Sequence, residues 1–131
     1  MNGTVAVIPP LLLIEDEPSV LQFIRTALER NGYSCRTANS AIEGIDVLRS
    51  GSFIGVISDM RMPGGAGGAE VYAWLTINRP ELKNKILFIT GDVVNEETLK
   101  ALNDTGVPYI EKPFRMSELM AVVEKLFGRA R

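Results

Sequence analysis

Five times along this chain a short apolar run is followed by a helical stretch, and four of the runs stop abruptly at charged or hydroxyl residues. Leu11-Leu12-Leu13-Ile14 runs into Glu15-Asp16-Glu17, and Val56-Ile57-Ser58 runs into Asp59. Ile86-Leu87-Phe88-Ile89 leads to Thr90-Gly91-Asp92, and Val107-Pro108-Tyr109-Ile110 leads to Glu111-Lys112-Pro113. Apolar, β-branched runs bounded by Pro and Gly read as buried strands. Strict strand–helix alternation argues for a parallel sheet with helices on both faces and right-handed crossovers. Open sheets of that kind bind ligands beyond the carboxyl ends of their strands. If the strands are parallel neighbours, acids, a hydroxyl and one ammonium meet on a single rim.

The pattern predicts a tail over residues 1–10, one domain over 11–128 and a second short tail over 129–131. The first strand is expected at about Leu11 to Glu15, with Pro18 in the first turn of the helix that follows and Asp16 or Glu17 capping it. That helix ends at Asn31-Gly32. Its apolar residues Val20, Leu21, Phe23, Ile24, Ala27 and Leu28 cover roughly 160°, wider than the ~100° stripe of a surface helix. The surplus is either partial burial or a docking surface. Tyr33 to Ala38 reads as the second strand, and Asn39 or Ser40 caps a helix reaching Leu48. Phe53 to Ser58 is the central strand. Gly64, Gly65, Gly67 and Gly68 are expected to form a mobile loop before a helix from Ala69 to Thr76. Lys85 to Thr90 is the fourth strand. Asn95 caps a fourth helix whose core side is Leu99, Ala101 and Leu102, and the last helix starts near Met116.

Composition removes several function classes. Fourteen Lys and Arg against sixteen Asp and Glu leave no basic field for nucleic acid. No apolar run approaches the ~18 residues of a membrane span, and residues 1–10 do not read as a signal peptide. Cys35 is the single cysteine, which fits a reducing, cytoplasmic setting and a small apolar role on a strand. The absence of histidine excludes Ser-His and Cys-His catalysis, His-ligated metals and a phosphohistidine donor role.

Glu15-Asp16, Asp59 in Asp-Met-Arg-Met-Pro, Thr90, and Lys112 in Lys-Pro-Phe arrive in order, each at a strand end. In this the chain resembles the receiver domains of two-component response regulators, over about residues 11 to 127. The resemblance implies a flavodoxin-like (βα)5 fold, a doubly wound parallel sheet in order 2-1-3-4-5. It implies that Asp59 accepts a phosphoryl group from a histidine kinase or a histidine phosphotransfer protein. It also implies Mg2+, held directly by Asp16, Asp59 and the backbone carbonyl of Arg61, with Glu15 acting through water. Glu15 stands where the family commonly has aspartate. Lys112 and Thr90 are implied to hold phosphoryl oxygens, and Lys112-Pro113 to be a cis bond. Thr90 and Tyr109 are the implied switch pair, repacking the surface of the fourth helix, fifth strand and fifth helix, where a downstream protein effector binds. The domain would catalyse only its own phosphorylation and dephosphorylation.

Some positions depart from the family pattern. The Asp59–Thr90 interval is one residue longer than usual, so the family glycine is Gly67 or Gly68. The glycine run lacks the Gly-Lys-Ser/Thr ending of a phosphate cradle. Arg61 and Asp92, each two residues past a site residue, are read as either a pair across the site mouth or two solvated charges. Tyr72 and Trp74 read as packing. The alternatives are a receiver from a hybrid histidine kinase, acting as relay or phosphate sink, and a Mg2+-dependent aspartyl-phosphate phosphatase. The phosphatase lacks its acid at the position of Arg61. Output is expected through partner binding or outside this chain, without nucleic acid or membrane.

Overall fold

A computed structural model describes residues 8–61, 66–91 and 95–128. Its strands are β1 (Leu11–Ile14), β2 (Cys35–Ala38), β3 (Gly55–Asp59), β4 (Ile86–Thr90) and β5 (Tyr109–Glu111). The helices between and after them are α1 (Pro18–Arg30), α2 (Ala41–Leu48), α3 (Gly68–Asn78), α4 (Glu96–Thr105) and α5 (Met116–Phe127). A short 3₁₀ turn, Pro80–Leu82, joins α3 to β4. All strand pairs are parallel, in the order β2-β1-β3-β4-β5.

The three central strands are buried at every position, as strands covered on both faces must be. Successive side chains alternate between two cores. Leu12, Ile14, Val56 and Phe88 pack with α2, α3 and Leu102 of α4. Leu11, Leu13, Ile57, Leu87 and Ile89 pack with α1 and α5. The outer strands are partly exposed: Arg36 on β2, and Tyr109 and Glu111 on β5, face solvent. Among the described residues no helix is long and apolar enough to cross a membrane.

Several helix ends follow local chemistry, and the start of α1 does not. Ser40 Oγ accepts from the Glu43 N–H at 3.1 Å, and Asn95 Oδ1 accepts from the Thr98 N–H at 3.1 Å. Gly106 ends α4 in the left-handed conformation, φ +67°, which glycine adopts without a Cβ penalty. At α1, neither Asp16 nor Glu17 caps with its side chain; Glu17 is the N-cap residue and its N–H donates to Glu15 Oε2 at 3.0 Å. The carboxylate of Glu15 thus occupies the donor that a preceding turn would use.

Two further expectations change, and the wide apolar stripe of α1 proves partly buried. Tyr33 lies before β2, buried, with its hydroxyl donating to the Gly128 carbonyl at the end of α5. On α1 only Ile24, Ala27 and Leu28 are fully buried, and Phe23 is 42% exposed. On α4 the inward pair is Thr98 and Leu102, one helical turn apart, which rotates Leu99 out to 41% exposure. Tyr72 and Trp74 pack against the core as expected, with the Arg49 guanidinium 5.6 Å from the Trp74 ring centroid.

Arg79, the residue just past α3, closes the end of a different helix. Its Nη1 donates to the carbonyls of Leu48 and Gly51, both at 2.7 Å, and its Nε pairs with Glu81 at 2.8 Å. Carbonyls at a helix C-terminus have no partner within the helix, and a guanidinium supplies one. Arg79→Met is expected to lower the unfolding free energy by roughly 1–3 kcal/mol, measured by urea denaturation. Cys35 is half-buried on β2, and burial pushes its thiol up to about 11. Only about one molecule in a thousand then carries a thiolate at pH 8. Alkylation by iodoacetamide at pH 8 should therefore be slow in the folded protein and fast after urea is added.

Candidate functional site

The register sets the site. Ile14 lies beside Ser58 and Asp59 beside Ile89, so the residues following β1, β3 and β4 emerge together at the carboxyl edge of the sheet. One carboxylate oxygen each from Glu15, Asp16 and Asp59 lies within 4.8 Å of the others. Glu15 is 2% exposed and Asp59 7%, with Asp16 half-buried. Lys112 reaches in from the loop after β5, its Nζ 3.1 Å from Glu15 Oε1 and 3.1 Å from Asp59 Oδ2. Its own N–H donates to the Thr90 carbonyl at 2.7 Å, so the backbone of β4 fixes where the lysine starts. The Lys112–Pro113 bond is cis.

Charge is unevenly balanced here. Two like charges at this spacing repel by roughly 3–4 kcal/mol at an effective dielectric of about 20. Burial, with the Asp59 charge adding to it, pushes the Glu15 carboxyl up to about 7 against the pull of the Glu17 N–H and Lys112. For Lys112, burial acts downward but is outweighed by Asp59 and Glu15, and its ammonium is held above the ordinary value. The donor set is entirely oxygen and remains acid-rich after Lys112 is counted. Such a set fits a hard divalent cation of the Mg2+ type.

Thr90, buried, ends β4 beside Glu111. Tyr109 sits opposite Phe88, exposed on the outer strand. Arg61 follows Asp59 by two residues, and its N–H lies 3.3 Å from Asp59 Oδ1. The proposed pairing partner of Arg61, Asp92, lies outside the described residues. The Arg61 guanidinium also approaches α4, with Nη1 3.4 Å from Thr98 Oγ1. Thr98 was not singled out in the sequence, because only the rotation of α4 turns it inward.

Of the expected mobile loop, Gly64 and Gly65 lie outside the described residues. Gly67 and Gly68 are buried, and Gly68 is the first residue of α3. A Cβ on Gly67 would stand 2.4 Å from the Met60 carbonyl oxygen, and one on Gly68 2.9 Å from the Phe88 ring. Both glycines are therefore fitted closely against the end of β3 and against β4. Glu70 Oε1 also accepts from the Gly67 N–H at 2.6 Å, drawing the loop onto the helix.

A family model described as the response regulator receiver domain matches residues 11–124. The chain belongs to that family. Among curated relatives, response regulator MprA of Mycobacterium avium is 29% identical over 92% of this chain and 52% of its own length. The probable transcriptional regulator ycf29 of Pyropia yezoensis is 27% identical over 91% of this chain and 53% of its own length. The chain thus spans about half the length of these relatives. Among solved structures, response regulator TrrA of Thermotoga maritima, in complex with Mg2+-BeF, is 28% identical with a TM-score of 0.77, covering 91% of this chain and 99% of that one. Chemotaxis protein CheY4 of Vibrio cholerae, 23% identical, shares the fold with a TM-score of 0.78 over 92% of this chain and 99% of that one. The receiver is a two-component signalling domain.

In this receiver Lys112→Met leaves Glu15 and Asp59 facing each other without their ammonium. With chelator present, urea unfolding at pH 7 should show a loss of about 1–3 kcal/mol.

Proposed function

We propose that Asp59 accepts a phosphoryl group from a phosphohistidine donor, a histidine kinase or a histidine phosphotransfer protein. The observation that carries this is the placement of Lys112 Nζ 3.1 Å from Asp59 Oδ2 at the carboxyl edge of the sheet, beside the Glu15-Asp16 pair. Asp59 is a carboxylate nucleophile: its oxygen bonds to phosphorus as the donor's bond to phosphorus breaks. Such transfer depends mainly on positioning and on neutralising the phosphoryl oxygens. Lys112 supplies one positive charge to those oxygens and the Thr90 hydroxyl a hydrogen bond. Asp16, Asp59 and the Arg61 backbone carbonyl would hold Mg2+, with Glu15 acting through water. Bound Mg2+ supplies charge neutralisation between the carboxylates and the incoming phosphoryl group. Glu15 has a second task in this reading, since it also holds Lys112 at 3.1 Å and so aims the ammonium.

The output is a population shift. Thr90 moves toward the phosphoryl group, and Tyr109, now exposed, follows inward. The surface formed by α4, β5 and α5 changes and is read by a downstream protein effector.

With Mg2+ and acetyl phosphate, the protein is expected to gain one phosphoryl mass on Asp59, and Asp59→Asn or added chelator should abolish the gain. Labelling that persists in Asp59→Asn, on any other residue, overturns the reading. Asp16→Asn should weaken Mg2+ binding by roughly tenfold or more in calorimetric titration.

A further inference from the structure

A groove of about 570 Å³ opens beside Lys112. Val20 and Phe23 of α1 line it, together with Pro113 and Phe114 after β5, and it reaches Gly91 and Lys112. The Phe23 and Phe114 rings are tilted at 59° with centroids 5.9 Å apart. Phe23 is off the core face of α1 and 42% exposed, so packing of the sheet does not require an aromatic ring there. Lys112 belongs to both places, because it lines the groove while its Nζ lies 3.1 Å from Asp59 Oδ2. Among the described residues, an added Cβ at Gly91 would meet only Lys112 carbons, at 3.8 Å. Residue 91 therefore leaves the passage between groove and carboxylate cluster open.

We propose that this groove seats the departing half of a small phosphoryl donor and selects for one that is flat and apolar, so that aryl acyl phosphates are preferred over acetyl phosphate. The inference rests on Asp59 being the phosphoacceptor. In the step, an Asp59 oxygen bonds to phosphorus while the bond from phosphorus to the acyl oxygen breaks. The electron pair leaves on the carboxylate product, benzoate or acetate, with no redox partner and no extra proton. An aryl group laid against the Phe23–Phe114 pair gains a ring contact that a methyl group does not, worth roughly a two- to tenfold preference.

The test follows phosphorylation of the full chain in Mg2+ by intact mass, with benzoyl phosphate and acetyl phosphate as separate donors. Because the donors differ in intrinsic reactivity, the quantity read is the ratio of their rates, compared between variants. Phe23→Ala should lower the benzoyl-to-acetyl ratio roughly two- to tenfold, and Phe23→Tyr should keep it. Ile42→Ala, at a side chain 74% exposed on α2, should change neither rate. Circular dichroism checks that each variant is folded. A ratio unchanged by Phe23→Ala overturns the proposal, as does an equal slowing with both donors. If that variant leaves the ratio intact but slows transfer from a phosphorylated histidine protein, the groove serves a helix of the protein donor and the proposal falls. If neither small donor labels Asp59 in the parent protein, the phosphoacceptor reading itself fails, a result distinct from the others.

Discussion

The ammonium of Lys112, 3.1 Å from one oxygen each of Glu15 and Asp59, is the contact on which the carboxyl edge of this sheet depends. Three carboxylates within 4.8 Å would repel strongly in a half-buried setting, and Lys112 offsets only part of that repulsion. The remainder appears in the raised carboxyl of Glu15 and in the acid-rich oxygen set that suits a divalent cation. One imbalance of charge therefore underlies both the raised Glu15 carboxyl and the fit of the oxygen set to a divalent cation.

The fold brings these groups together through its backbone. Central strands with no exposed position leave only their ends to carry polar chemistry. The parallel register places those ends side by side, and the hydrogen bond from Lys112 N–H to the Thr90 carbonyl starts the lysine from the right height. Beneath Asp59, Gly67 and Gly68 let α3 come so close that any Cβ would collide with Met60 or Phe88. From the same loop Arg61 reaches toward Thr98 on α4, a physical connection between the edge of the acidic cluster and a helix of the proposed output face.

Much of this was legible in the residues. The apolar runs located all five strands to within one or two residues. Their polar endings marked Glu15, Asp16, Asp59, Thr90 and Lys112 as one set, because a parallel sheet leaves few other places for them. The caps at Ser40 and Asn95 and the stop at Asn31 were readable for a similar reason: each depends on neighbours within four residues. Gly67 and Gly68 were included in a mobile loop because composition alone does not reveal how closely a backbone is approached. Leu99 was assigned to the core of α4 because an apolar residue is the usual choice, yet the helix turned Thr98 inward.

By itself, then, the sequence determined the alternating architecture and the identity of the groups on the rim, since apolar periodicity and strand endings are local properties. Tertiary structure alone decided that Arg79 closes the end of α2 from thirty-one residues away and that Tyr33 ties down the end of α5. It alone decided that Phe23 and Phe114 wall a groove beside Lys112. Each of these depends on the rotation of a helix about its axis or on two distant segments meeting, and neither is encoded in any short stretch of residues.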